Sequence, residues 1–376
     1  MPMIIHRRPS LLVALAILPA VLTACTTDKS AATTSAENVV NVYNWADYIA
    51  LDTIEKFETE YGIQVNYDIY DGSQVVDVKL LAGNSGYDVV IHSSQYSSRL
   101  TPIGVYERLD YSRLDNMRHL DMDMRDKIDV YDKTRGYTTP YHWGTTGYAW
   151  NVRLVRERLP DHPMDSMDVL FDPEVASKLA DCGISLLDGP TDIYPMVLSY
   201  LGRDPNAVDD ESLAAAEAQL MKVRPYIRYF SNQKMQVDLP NQEVCVAMSW
   251  SGDYATAARK AKQAGLDLEL RYTMPKEGSG LWVDGVYMPA DAPHKDNAYL
   301  FMNFLMRPDI AADIANQVDY ANINRSSWAM IRPELMNDPA IYPPESKWNL
   351  LYPVLAVDPK RERFRTRSFA RVKAGI

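Results

Sequence analysis

The stretch VVNVYNWADYIALDTIEKFETEYGIQVNYDIYD, residues 39–71, decides the fold. Its opening, rich in Val and aromatics, reads as a buried strand. LDTIEKFETEYG then spaces Ile54, Phe57 and Tyr61 as one helical face, with Asp52 as cap and Gly62 as stop. IQVNYDIYD alternates Val65, Tyr67 and Ile69 on one side, which predicts a second strand. SQVVDVKLLAGNSG predicts another helix and YDVVIHSS a third strand. Strands alternating with helices specify an α/β chain with a mostly parallel sheet. Ligands of such sheets bind at the carboxyl ends of the strands, so Asn44-Trp45-Ala46-Asp47-Tyr48 and His92-Ser93-Ser94 share one rim.

The alternation resumes beyond TTPYHWGTTGYAWNV, residues 138–152, which is rich in turn formers and predicts a crossing between two lobes. ISLLDGPTD and EVCVAMSWSGDY read as strands running into polar turns, and LELRYTMPKEGSGLWVDGVYMP as two strands around a Gly-rich turn. HKDNAYLFMNFLMRPDIAADIANQV predicts helices. KRERFRTRSFARVK, from Lys360, predicts a solvated C-terminal helix that packs Phe364, Phe369 and Val372; the other reading is an electrostatic patch for an acidic partner.

The first residues set the compartment. Arg7 and Arg8 precede the apolar run LLVALAILPAVL, too short for a mature membrane span, which predicts a secretory signal over residues 1–24. Leu22-Thr23-Ala24-Cys25 resembles the bacterial lipobox, which implies lipid on Cys25 and a membrane anchor; ordinary cleavage to a soluble periplasmic product is the alternative. Residues 25–38, small and polar, read as a flexible tether. The net charge of −11 becomes −13 once Arg7 and Arg8 leave, a balance that repels nucleic acid and attracts cations. Hydrophobic residues at 47% and a body of more than 300 residues suit two packed lobes rather than one small core.

Three cysteines leave Cys182 and Cys245 as the one possible pair after Cys25; a disulfide or two buried thiols both fit an exported chain. Neither HxxxH nor CxxC spacing occurs, so no metal is expected. GxSxG, HExxH, P-loop and GxGxxG patterns are also absent, which argues against an enzyme and against a cofactor. His92 adjoins Ser93 and Ser94, yet neighbours on a strand point to opposite faces, and a structural or lining role is expected.

What recurs instead is an aromatic paired with a carboxylate: Trp45 with Asp47 and Tyr48, Trp250 with Asp253, Trp282 with Asp284. Each alone fits a core Trp and a turn-capping Asp. Jointly, at strand ends that converge on one cleft, they offer flat apolar faces beside negative charge, a site for an organic cation with an aliphatic body.

VYNWADYIALDTIEKFETEYGIQVNYD, AGNSGYDVVIHSS, PYHWGTTGYAWN, IRYFSNQ, VCVAMSWSGDY and RPDIAADIANQVDYANINRSS resemble the polyamine-binding periplasmic proteins of ABC importers, in particular the putrescine branch. The resemblance runs from about Val39 to the C-terminus. It implies a two-lobed type II periplasmic-binding fold with hinge crossings and the ligand in the cleft. We expect lobe 1 over residues 39–142 and 262–308, and lobe 2 over 143–261 and 309–376. It further implies ligand contacts at Trp45, Ala46, Asp47, Tyr48, Ser93, Asp192, Trp250, Asp253, Trp282, Asp284 and Tyr320, and it supports the Cys182–Cys245 disulfide. Ala46 stands where the family generally offers a hydroxyl, and Trp282 where the putrescine branch usually has Phe and the spermidine branch Trp. Putrescine is therefore the first expectation, with spermidine, agmatine, cadaverine or another cation, taken up or sensed, as alternatives. The implied partners are an ABC permease and, through the lipid, a membrane; the expected state is a monomer. A linear diamine would lie with its methylenes between Trp45, Trp250 and Trp282. Asp253 and Asp284 would hold one ammonium, and Asp47, Asp192 or Ser93 would meet the other.

Overall fold

The computed structural model describes residues 38–376 apart from Asp129 and Lys133. The expected signal peptide, the Cys25 lipid site and nearly all of the tether lie outside the described residues. From Asn38 to Ile376 the chain is one unit.

Among the described residues ten strands form one sheet: β1 Val39–Trp45, β2 Gln64–Tyr70, β3 Val89–Ser93, β4 Thr138–Asn151, β5 Ile184–Leu186, β6 Ile227–Phe230, β7 Val246–Trp250, β8 Leu270–Thr273, β9 Ser279–Tyr287 and β10 Leu351–Pro353. Their order is β2-β1-β3-β9-β4-β7-β5-β6, with β10 beside β9 and β8 beside β4. Both wings are parallel, β2-β1-β3 on one side and β7-β5-β6 on the other. The middle is antiparallel, because β9 pairs β3 and β4, and β4 pairs β7 and β8. The sheet is thus mixed: parallel in the wings and where β10 joins β9, and antiparallel in the other pairs of the middle.

The segment 138–152, expected as a crossing between lobes, is strand as far as Asn151 and lies between the two wings. It is β4, fourteen residues of nearly unbroken buried strand. Its Gly144 and Gly147, which look like turn formers, sit where a side chain has no room: a Cβ on Gly144 would come 2.4 Å from the Trp282 ring, and one on Gly147 2.2 Å from the Thr273 carbonyl. Trp282-Val283-Asp284 likewise lies in mid-strand of β9 rather than at a strand end.

The helix Thr53–Tyr61 follows β1 and stops at Gly62 in the left-handed conformation, φ 65°, as expected. Asp52 does not cap it through its side chain; its carboxylate pairs with Lys56 at 2.8 Å. On the edge strand β2, Ile69 is exposed, and Tyr70 turns inward instead, against Tyr43 and Trp45. The C-terminal helix Pro359–Ala374 forms where expected and buries Phe369 and Val372, but Phe364 faces outward and Arg365 takes a buried position.

Two large cores flank the middle strands. One joins Val40, Phe57, Ile91 and Trp143 to Phe301, Ile310, Ile314 and Ile341; the other joins Tyr148, Leu170, Ile184, Val197, Leu220 and Met248 to Phe369 and Val372. Cys182 and Cys245 are disulfide-bonded, with Cα atoms 5.5 Å apart, and tie the entry of β5 to that of β7.

Candidate functional site

β1, β3 and β9 are adjacent, so the end of β3 meets the middle of β9. Ser93 stands opposite Asp284 in the ladder, and His142 of β4 faces Asp284 from the other side. Asp284 is almost fully buried and accepts from Ser93 Oγ at 2.5 Å and from Tyr48 Oη at 2.8 Å. Trp282 and Asp284, two residues apart on a strand, project from the same face of β9.

The second carboxylate comes from the other wing. β7 ends at Trp250, and the helix Ser251–Gln263 starts at once, placing Asp253 in its first turn. Asp253, also buried, accepts from Tyr320 Oη at 2.7 Å. Tyr320 lies flat over Gly252, where a Cβ would come 2.3 Å from its ring. Its edge contacts tie the two carboxylates together, with Tyr48 5.5 Å away and Trp282 5.2 Å away between ring centroids. Asp192, in the first turn of the helix Pro190–Tyr200, forms a separate group with Trp250, whose Nε1 donates to it at 3.0 Å. Beside it Tyr96 Oη donates to Thr191 Oγ1 at 2.9 Å.

Burial dominates the electrostatics. Loss of water pushes Asp192, Asp253 and Asp284 each up to about 6, against the hydrogen bonds from Trp250, Tyr320, Ser93 and Tyr48 that stabilise their ionised forms. Among the described residues none of the three is ion-paired. Tyr48 and Tyr320 are held protonated by burial and by the facing carboxylates, so they remain donors. His92 and His142 are pushed by burial to about 3; His92 Nδ1 meets Tyr106 Oη at 2.8 Å, away from Ser93.

Of the eleven residues expected from the sequence, Tyr48, Ser93, Asp253, Trp282, Asp284 and Tyr320 therefore converge, and Asp192 and Trp250 form the second group. Trp45 is half-buried against Tyr70 at the end of β1, with Ala46 next to it donating its N–H to the Tyr70 carbonyl at 3.0 Å. Asp47 is exposed at the apex of the turn in left-handed backbone, φ 55°, outside the buried group. Asp tolerates this conformation better than most residues, which gives its presence a backbone reason.

Sequence reasoning missed Tyr141 and His142, which pack on Tyr48 at 5.5 and 5.3 Å, and Gly144 and Gly252, whose missing side chains admit Trp282 and Tyr320. The aromatics crowded into residues 138–152 were a usable signal, hidden by the glycines among them.

Residues 52–343 match the family described as bacterial extracellular solute-binding protein. The chain belongs to that family. Among relatives of this solute-binding protein is the putrescine-binding periplasmic protein SpuD of Pseudomonas aeruginosa, 42% identical over 338 residues that cover 90% of this chain and 92% of SpuD. The putrescine-binding periplasmic protein PotF of Escherichia coli is 40% identical, with 90% and 92% covered. Among solved structures, the spermidine/putrescine ABC transporter substrate-binding protein PotD of Streptococcus pneumoniae superposes with a TM-score of 0.75 at 26% identity, covering 90% of this chain and 99% of PotD. The mixed α/β sheet with its two cores is thus the two-lobed type II fold of this solute-binding family. No helix among the described residues is long and apolar enough to cross a membrane.

Proposed function

We propose that the cleft captures a linear polyamine, putrescine first, and that the chain presents it to an ABC permease. The observation that carries this reading is the state of Asp253 and Asp284, two buried carboxylates that receive hydrogen bonds from hydroxyls and no ion pair from the described residues. Buried ionised carboxylates are costly until a cation pairs with them. An ammonium supplies that charge with several N–H donors, and Trp282, Tyr48 and Tyr320 supply faces for the methylenes beside it. Asp192 with Trp250 would receive the far end of the ligand, Trp45 and Ala46 would border it, and Asp47 would act from the rim. SpuD and PotF, both named putrescine-binding, support the assignment.

Trp282, at a position where the putrescine branch usually has Phe and the spermidine branch Trp, makes spermidine the second ligand to test. We read the chain as a binding protein and not an enzyme. His92 and His142, both pushed to about 3, are too weak as bases to activate a hydroxyl near neutral pH. Residues within 309–341, such as Ile310, Ile314 and Ile341, share a core with Val40 and Phe57, which supports reading that segment with the first lobe instead of the second. Lipid on Cys25 would hold the protein, as a monomer, at a membrane facing the periplasm; mass spectrometry of the membrane fraction would detect it, and an unmodified Cys25 there would refute it.

A thermal-shift panel of putrescine, cadaverine, spermidine, agmatine and γ-aminobutyrate tests the ligand class. A ligand at 100 times its dissociation constant stabilises by about 2.7 kcal/mol, and the largest shift is expected with putrescine. No shift with any amine would overturn the reading.

A further inference from the structure

The helix Pro308–Val318 ends in Asp319, one of few non-glycine residues with positive φ, 62°. Left-handed backbone is unfavourable for a residue with a side chain and persists where the surroundings impose it. Here the surroundings are explicit. Asp319 is buried, and its Oδ2 accepts from Thr256 Oγ1 at 2.9 Å and from Arg259 Nε at 2.8 Å, while Oδ1 accepts from Arg332. Thr256 and Arg259 belong to the helix Ser251–Gln263, the same helix that carries Asp253. The next residue, Tyr320, grips that helix one turn earlier, over Gly252 and onto Asp253. Two consecutive residues therefore clamp one helix, the first through charge and the second through the cleft.

We propose that Asp319 is a positioning residue for the ligand site: by forcing the left-handed turn and locking it to Thr256 and Arg259, it fixes the Tyr320 hydroxyl on Asp253. It does not touch the ligand. Its effect on affinity passes through Tyr320, whereas its ion pairs with Arg259 and Arg332 hold the fold whether or not Tyr320 has a hydroxyl. The inference rests on the polyamine reading of the cleft.

A double-mutant cycle on the full mature chain separates these roles. Putrescine affinity by calorimetry should fall about tenfold in Tyr320→Phe, the scale of one lost hydrogen bond. Asp319→Ala should cost about tenfold in the wild-type background and less than about twofold in the Tyr320→Phe background, because the hydroxyl it positions is already gone. The melting temperature should drop with Asp319→Ala in both backgrounds. Should Asp319→Ala fail to fold, Asp319→Asn carries the same cycle, since Asn tolerates left-handed backbone, with a loss of about threefold. Equal losses in both backgrounds, or no loss in the wild type, would overturn the proposal. Absence of amine binding by the wild type would instead strike the polyamine reading itself.

Discussion

Asp253 and Asp284 differ from an ordinary pair of acids in having no ion pair among the described residues, and their chemistry follows from that. Replacing either with Asn removes the charge while keeping the shape, so putrescine affinity should fall at least ~100-fold by calorimetry, the scale of breaking a buried charge pair. The pH dependence has a definite sign. With the ligand-free carboxylates at about 6, protons compete with the ammonium below that pH, so affinity should be level above pH 7 and weaken as pH falls through 6. Between pH 7.5 and 5 the loss should be about tenfold for each carboxylate that must give up a proton. Affinity unchanged across that range would contradict the burial of these acids. At this scale the sequence was informative about residue types: Trp, Asp and Tyr beside strands were visible, and six of the expected residues converge. It was silent on Gly144 and Gly252, because a glycine needed for close approach and one needed for a turn look the same until the neighbour is known. Asp47, exposed on the rim, has a second reason to be an Asp in its left-handed backbone, which no sequence pattern separates from a ligand role.

Among the elements, the C-terminal helix separates pattern from packing. Phe364 and Phe369 both read as its apolar face, yet one is exposed and the other is buried against Phe230 at 5.5 Å. Phe369→Ala should therefore cost about 3 kcal/mol of unfolding free energy, and Phe364→Ala no more than about 0.5 kcal/mol. Chemical denaturation of the two variants measures both, and equal costs would contradict the placement. The buried place goes to Arg365, which bonds Glu362 and Thr191; periodicity of apolar residues has no way to register a buried arginine. In β4 the Gly, Pro and Thr residues pointed to turns, but the strand runs buried between β9 and β7, and its glycines stand where Trp282 and the Thr273 carbonyl leave no room for a Cβ, among large aromatics such as Trp143 and Tyr148. The disulfide acts between elements, closing 63 residues of chain at the entries of β5 and β7. Its loss in a Cys182→Ser, Cys245→Ser variant should lower stability by about 4 kcal/mol on the chain-entropy account. A midpoint unmoved by the change would refute its structural role.

For the whole molecule, alternation of strands and helices predicted the parallel wings, which are local in sequence. The antiparallel middle was not legible, because β9 joins β3 and β4 across 134 or more residues and no local pattern records such a partner. That middle assembles the candidate site. It brings Asp284 from a late strand against Ser93 and Tyr48 from the first wing, while the start of the 251–263 helix brings Asp253 from the second. A ligand bound to both carboxylates thus bridges the two wings, and its absence leaves buried negative charge that favours their separation. The most direct test is calorimetric titration of putrescine at pH 7.5 into the wild type and into the Asp253→Asn, Asp284→Asn double variant, both first shown to be folded. Saturable one-site binding by the wild type and none by the double variant is the predicted result; equal affinity in the two, or no binding by the wild type, would contradict the account.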